Sequence, residues 1–293
     1  MNITLRQLQI FLAVAQCQNL SSAAESLFLT KGAVSQALLE LEKQLGVKLF
    51  DRVHPHMHLN HEGAVLRPVA DEILQRCQQA EALFSGAGDR YLQVGASKTI
   101  GNYIIPKLLK SFADEYGWMP RVHIANSGQL LEMISHFTLD VVLLEGESYY
   151  PDVQSEKWIV DAMVVLGHKG HPLSEGGPHA PAALKGEGWI LREVNSGTRE
   201  FFEHSLGTCI APYTIVQSVE SAEAVLGMVE QGLGLTFASK LIAELPDFSR
   251  RFSIIGLTQA FSRTFSLCYH GQKYHSPSMD QFLSYCRQWR PPT

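Results

Sequence analysis

The chain is poor in cysteine, carries no excess of positive charge and has no long apolar run, and each shortage removes a class of function. Its five cysteines, Cys17, Cys77, Cys209, Cys268 and Cys286, stand singly. An odd number without a Cys-x-x-Cys pair does not build a disulfide framework, so they read as reduced packing residues. The net charge of −5 argues against a protein that coats nucleic acid through bulk electrostatics. The opening residues lack a basic n-region, a continuous apolar h-region and a small-residue cleavage site, and no later stretch reaches the length of a membrane span. The protein is therefore expected in the cytoplasm, without a membrane partner. No Gly-x-x-x-x-Gly-Lys-Ser/Thr loop occurs, Gly232-Leu233-Gly234 is too short for a dinucleotide fingerprint, and Ser196 lacks a Gly-x-Ser-x-Gly elbow. No cofactor is expected.

What is present is concentrated between Ser21 and Arg52, which read as two short helices around a tight turn. The second of these has Val34, Leu38, Leu41 and Leu45 at spacings of four, three and four, a buried stripe. Thr30, Lys31, Gly32, Ser35 and Gln36 are left outward near its N-terminus, where side chains can reach base edges in a major groove. Ahead of it, Leu5, Leu8, Phe11, Leu12 and Ala15 mark a first helix closed by Asn19, and the Ser21-Ser22 pair opens a second, with Glu25 completing a capping box if Ser22 is the cap. Thr30 caps the third, and Gly46 stops it. Lys48 to Leu59, with Pro55 at the tip, suits a hairpin wing. Across residues 1–60, five cations (Arg6, Lys31, Lys43, Lys48, Arg52) face four anions (Glu25, Glu40, Glu42, Asp51). Affinity for DNA must then come from placed contacts and from dimerisation.

Asn60 begins a long helix whose stripe, Leu66, Val69, Ile73, Cys77, Ala80 and Phe84, steps by three or four as in a helix seeking a partner helix. Pro68 predicts a bend near Ala64 to Pro68, and Ser85 to Asp89 form a small-residue linker. From Tyr91 strands and helices alternate: Leu92 to Ala96, Ile104 to Phe112, Val122 to Ile124, Leu130 to Ile134, then the apolar Val141 to Leu144. After a crossover near Val164 to Gly167 the rhythm recurs in Trp189 to Leu191, a helix from Thr198, Thr214 to Val216, Ser221 to Gln231 and Leu235 to Phe237. Phe265 to Tyr269 and the helix opened by Ser276-Pro277 return to the first lobe. This βαβ texture predicts an α/β domain with a mainly parallel sheet, divided into two lobes with a cleft between them.

Ala23-Ala24, Ala33-Val34-Ser35-Gln36, Leu41-Glu42, Leu45-Gly46 and Leu49-Phe50-Asp51-Arg52, at their spacing, resemble the LysR-type transcriptional regulators over the whole chain. In the second half, residues 96–103, 190–193 and 196–200 look like the YeiE-type branch, associated with sulfite. The resemblance implies a winged helix-turn-helix over 1–60, a dimerising linker helix over 61–89, and a two-lobed regulatory domain over 90–293 shaped like a type 2 periplasmic binding protein, usually in a homodimer or homotetramer. Lobe I would hold about 90–163 and 267–293, lobe II about 164–266. Two departures stand out. Lys31 replaces the family's frequent Gln, favouring a phosphate or guanine contact over adenine. The usually basic wing here carries Pro55, His56 and His58.

Sheets of this kind bind ligands where strands end and helix N-termini present free amides. Ser97-Lys98-Thr99, Asn126-Ser127, Glu145-Gly146 and Ser196-Gly197-Thr198-Arg199 occupy such places, with Glu220 and Ser221 as weaker candidates. Their hydroxyls, amides and two cations suit a small anionic effector. The serines and threonines would also serve as plain helix caps. Glu145 repels an anion unless it is protonated or paired with Lys98 or Arg199, which leaves an amino acid or another zwitterion open.

The reading is a regulator that binds a pseudo-palindromic double-stranded operator, with Lys31, Ser35 and Gln36 at base edges and Thr30, Lys48 and Arg52 at phosphates. Its effector site holds Ser97, Lys98, Thr99, Ser127, Glu145, Ser196, Gly197, Thr198 and Arg199, and its effector is sulfite or a related oxyanion. RNA polymerase is a further candidate partner. The rival is a solute-binding or carrier protein with an N-terminal interaction arm; an enzyme ranks third. His54, His56 and His58, with His61 nearby, form a poor closed metal site on an exposed wing. Trp118, Trp158, Trp189 and Trp289 read as packing.

Overall fold

The apolar stripes of the first eighty residues close on one another. In the computed structural model, which describes residues 3–53, 56–82, 91–148, 150–246 and 248–291, three helices, α1 (Leu5–Cys17), α2 (Leu20–Ser26) and α3 (Lys31–Leu45), precede the hairpin β1 (Phe50–Val53) and β2 (His56–Leu59). Phe11, Val14, Ala23, Val34, Leu41 and Leu49 are almost wholly buried together, and the Phe11 and Phe50 rings lie 5.6 Å apart. Thr30 caps α3 through a bond from the Ala33 amide, and Gly46 ends it at φ 72°, a conformation that glycine adopts without strain. Two expected caps differ. Asn19 does not close α1, which ends at Gln18; its side chain accepts from the Ser21 and Ser22 amides and so starts α2, leaving Glu25 outside any box. The Asn carbonyl one residue earlier simply reaches those amides first.

The next helix, α4 (His61–Ala82), runs through Pro68. Its predicted single stripe splits by face. Ala70 is fully buried in the N-terminal core, flanked by Leu66 and Leu74. One residue back, Val65, Val69 and Ile73 lie open at 60%, 49% and 38% exposure. One residue on, Arg67, Asp71 and Gln75 turn toward the C-terminal domain. Residues four apart share a face, so these three triads occupy three sides of one helix. Phe84, the linker 85–89, and His54 and Pro55 of the wing lie outside the described residues.

The C-terminal half continues with β3 (Gln93–Ser97), α5 (Lys98–Tyr103), α6 (Ile105–Tyr116), β4 (Arg121–Ala125), α7 (Ser127–Ser135) and β5 (Val141–Glu145). Then come the long strand β6 (Val153–His168), β7 (Gly188–Arg192), α8 (Gly197–His204), α9 (Leu206–Ile210) and β8 (Thr214–Val219). The chain closes with α10 (Ala222–Glu230), β9 (Thr236–Ser239), α11 (Phe248–Arg251), β10 (Phe252–Ile255), β11 (Phe261–His270) and α12 (Pro277–Gln288).

The sheet is mixed rather than mainly parallel. Strands β4, β3 and β5 run parallel as the βαβ rhythm predicts, but β11, β6, β9 and β10 join antiparallel, in the path β10-β6-β11-β5-β3-β4. The crossover expected near Val164 to Gly167 is only the end of a 16-residue strand that serves both lobes, and its polar stretch Gln154 to Lys157 hides it from an apolar scan. Along β6 and β11 the register slips between Phe265 and Ser266, opposite Trp158, near where β11 passes from lobe II into lobe I and β6 runs the opposite way. Lobe I is built around Val94, Phe112, Phe265 and Phe282; lobe II around Trp189, Phe202 and Phe237. The two fully apolar clusters cannot merge, because the ends of β3, β5, β7 and β11 bring charged and hydroxyl side chains between them.

Candidate functional site

At the N-terminal end of α3, Thr30, Lys31, Gly32 and Gln36 are exposed and Ser35 is half-buried, so the polar tip faces open surface. The Gln36 amide donates to Glu40 at 2.8 Å across one exposed turn. Lys48 is exposed and 3.0 Å from Glu42, whose other oxygen accepts from the Leu49 amide. Glu42 thus fixes the start of the wing while Lys48 extends outward. The Arg52 side chain lies outside the described residues. A feature not read from the sequence is Phe28, 97% exposed at φ 54° in the turn before α3.

Between the lobes, three polar helix starts converge. Ser97 ends β3 and Ser127 opens α7; both are buried, and neither hydroxyl has a hydrogen-bond partner among the described residues. Ser196 is buried ahead of α8 and makes no side-chain capping bond. Capping therefore explains Asn126, which forms a full box with Gln129, but not these three serines. Gly197 is where lobe II presses on lobe I: a Cβ there would stand 2.9 Å from the Glu145 Cβ and 3.0 Å from the Ser127 Oγ.

Beneath them lies an ion cluster. Glu145 is not paired with Lys98 or Arg199 but with Arg263, a residue that sequence reasoning missed. The Arg263 guanidinium, buried with its partners, bonds Glu145 Oε2 at 2.5 Å, Asp161 Oδ2 at 2.9 Å and the Thr198 hydroxyl at 3.0 Å. Glu145 also accepts from the Thr99 amide at 3.0 Å and the Thr198 hydroxyl at 2.8 Å. Burial pushes its carboxyl up, but Arg263 and these donors outweigh that and hold it at about 2. Asp161, cross-strand from Arg263, is raised by its burial despite Arg263 and Ser239. One signal pointed to Arg263: it sits two residues from both Phe261 and Phe265 in an alternating strand, on the inward face.

Lys98 spans the lobes instead, 3.2 Å from Glu193 and bonded to the Glu220 carbonyl at 3.0 Å, while Glu193 also holds Arg192 at 2.8 Å. Arg199 turns along α8 to Glu203 at 2.8 Å and reaches Ser218 and the Arg192 carbonyl. The cleft's cations Lys98, Arg192 and Arg263 are thus matched by Glu145, Asp161 and Glu193. What stays unmatched is a set of neutral donors. A small cavity beside them is walled by Thr99, Asn102 and Tyr103 from lobe I and by Arg192, Thr198 and Leu226 from lobe II.

Residues 5–64 match the family model described as bacterial regulatory helix-turn-helix protein, lysR family, and residues 85–291 match the LysR substrate binding domain. Along its length the chain is 33% identical over 291 residues to the uncharacterized HTH-type transcriptional regulator YeiE of Escherichia coli (strain K12), covering 98% of each. A full-length OxyR variant from Pseudomonas aeruginosa superposes with a TM-score of 0.72 at 20% identity, covering 98% of this chain and 96% of that one. The regulatory domain of Synechocystis CcmR in complex with 2-PG superposes with a TM-score of 0.62 at 22% identity, covering 67% of this chain and 95% of that one.

Proposed function

The chain belongs to the lysR family of bacterial regulatory helix-turn-helix proteins, and from that membership we propose that it is a transcriptional regulator whose hold on its operator is set by a small oxyanion, sulfite or a close relative, in the cleft between its lobes. One observation carries the effector class: the hydroxyls of Ser97 and Ser127 are buried and unpartnered at helix starts, and that of Ser127 lies against Gly197. Burying a hydroxyl without a partner costs about 1–3 kcal/mol, so the site favours a ligand rich in acceptors. The objection that Glu145 would repel an anion weakens, because Glu145 is engaged by Arg263, Thr99 and Thr198, and the cleft's carboxylates Glu145, Asp161 and Glu193 are matched in number by Arg263, Arg192 and Lys98. That same pairing leaves no free carboxylate at Glu145 to receive an ammonium, which weighs against the zwitterion. That the similarly folded CcmR regulatory domain forms a complex with 2-PG supports a small-molecule effector for this domain.

DNA recognition is assigned to the α3 tip, with Lys31, Ser35 and Gln36 at base edges and Thr30, Lys48 and Arg52 at phosphates. Self-association runs through Val65, Val69 and Ile73 of α4, giving the twofold symmetry that a pseudo-palindromic operator mirrors. The regulator acts in the cytoplasm, with RNA polymerase as a further partner.

The test is a melting-temperature screen of the full chain with sulfite, sulfate, phosphate, small carboxylates and amino acids, repeated with Ser127→Ala. An oxyanion that stabilises the native protein and loses that effect in Ser127→Ala supports the reading. Stabilisation by an amino acid alone, or equal stabilisation of the variant, overturns it. Electrophoresis with DNA from upstream of the chain's own gene tests the other half: a shift without sequence preference would refute the operator assignment.

A further inference from the structure

One charged cluster lies outside both sites. Where α4 meets lobe I, the Lys273 ammonium is buried and stands 3.0 Å from Asp71 of the linker helix and 2.9 Å from Asp140 of lobe I. It also donates to the Phe137 carbonyl at 3.3 Å. Asp140 in turn accepts from the Gln93 amide at 2.7 Å, which anchors it to the start of β3. Gln75, one turn on from Asp71, donates to both carboxylates.

Phe137 ties this cluster to α7. It follows the helix in the left-handed region, at φ 59°, and its ring packs 4.2 Å from His270 with the Arg67 guanidinium 5.6 Å above it. Helix α7 begins at Ser127, whose unpartnered hydroxyl lies against the position of Gly197, and after nine residues ends beside this cluster, a span of about 13 Å at 1.5 Å per residue. A helix of that length is stiff, so a displacement of its first turn moves its last.

We propose that Lys273 is a clasp between the linker helix and lobe I, and that α7 carries a change at the cleft to that clasp. The transmission half rests on the cleft being the effector site. The clasp half does not. A cation shared by two carboxylates on different domains has two discrete states, engaged and parted, because partial separation leaves buried charges unmatched. Since α4 also supplies Ala70 to the N-terminal core, any change at Asp71 reaches the DNA-reading helices without a further joint.

Asp71→Asn in the full chain weakens the clasp while keeping the side-chain shape, and Lys273→Met removes its cation. Hydrogen exchange over α4 should become faster in both and return toward wild type in Lys273→Arg. With sulfite as probe, Asp71→Asn should keep the wild-type melting shift while the effect of sulfite on affinity for upstream DNA falls by about fivefold or more. Exchange in α4 equal to wild type overturns the clasp. An undiminished sulfite effect on DNA affinity in Asp71→Asn overturns the transmission. If sulfite fails to stabilise the wild-type protein, the effector reading falls by itself and the exchange measurement still decides the clasp.

Discussion

Replacing Arg263 by Met would strip the cleft floor of the one cation that joins Glu145, Asp161 and Thr198. The distance from a usual carboxyl value of 4.5 down to about 2 at Glu145 corresponds to about 3 kcal/mol of preference for the ionised form. Removing one partner of a buried ion pair generally costs about 3–5 kcal/mol, because the charge left behind has neither water nor counterion. Asp161 moderates the loss: burial raises its carboxyl, so it is the readier of the two to take up a proton. A deficit of about 3–4 kcal/mol at pH 7 is therefore expected. The pH dependence has a definite sign. In the wild type the depressed Glu145 contributes stability above its unfolded value, and that contribution is lost as pH falls from 4.5 toward 2. In the variant, burial, the largest influence on Glu145, is opposed only by the Thr99 and Thr198 donors, so its carboxyl rises and the folded form takes up a proton more readily as pH falls. The gap between the two proteins should narrow steadily between pH 7 and 4. Urea denaturation followed by tryptophan fluorescence reads this cleanly, since Trp118, Trp158, Trp189 and Trp289 all lie in the C-terminal domain. A deficit under about 1 kcal/mol, or one that ignores pH, would refute the reasoning. Adding Glu145→Gln and Asp161→Asn to the variant should recover most of the loss.

Two further perturbations probe the other sites. Gly197→Ala places a methyl 2.9 Å from the Glu145 Cβ, so the lobes must part by several tenths of an ångström; oxyanion-induced stabilisation should vanish while affinity for DNA in the absence of effector stays at the wild-type level, and retained stabilisation would mean the lobes do not close there. Gln36→Ala, on an exposed turn, should leave the melting temperature unchanged and cost about 1–3 kcal/mol of discrimination between specific and random DNA, measured by competition electrophoresis. An equal weakening on both DNAs would make Gln36 a phosphate contact.

The DNA-binding head was the most legible part of the chain because its information is local. Val34, Leu38 and Leu41 repeat at helical spacing, Thr30 and Gly46 bracket the helix, and all of this lies within seventeen residues. The βα units from Leu92 to Leu144 were legible for the same reason. What escaped was set by distance along the chain. Glu145 and Arg263 are neighbours in space across 118 positions, and nothing near either one announces the other. Lys273 and Asp71 are a second such pair. The strand β6 was missed for another reason: half of it is polar because it serves lobe I through backbone pairing, where side-chain alternation is weak. The linker stripe was read as one face because three or four residues separate its members, yet Val69 and Ala70 differ by a single step, which turns a side chain by about 100°.

That single step has a consequence for how this segment can change. Around Pro68, consecutive residues are committed in rotation to the head, to lobe I and to open surface. Deleting one residue ahead of Ala70 would spin the rest of the helix by about 100°, driving Asp71 into the apolar core of the head and turning Ala70 out to open surface. Substitutions can be tuned one at a time, but insertions and deletions here fail on three fronts together unless they come in multiples of about seven, two whole turns. Homologous proteins with a longer or shorter reach should therefore keep the segment from Val65 to Gln75 unbroken or change it by such whole increments.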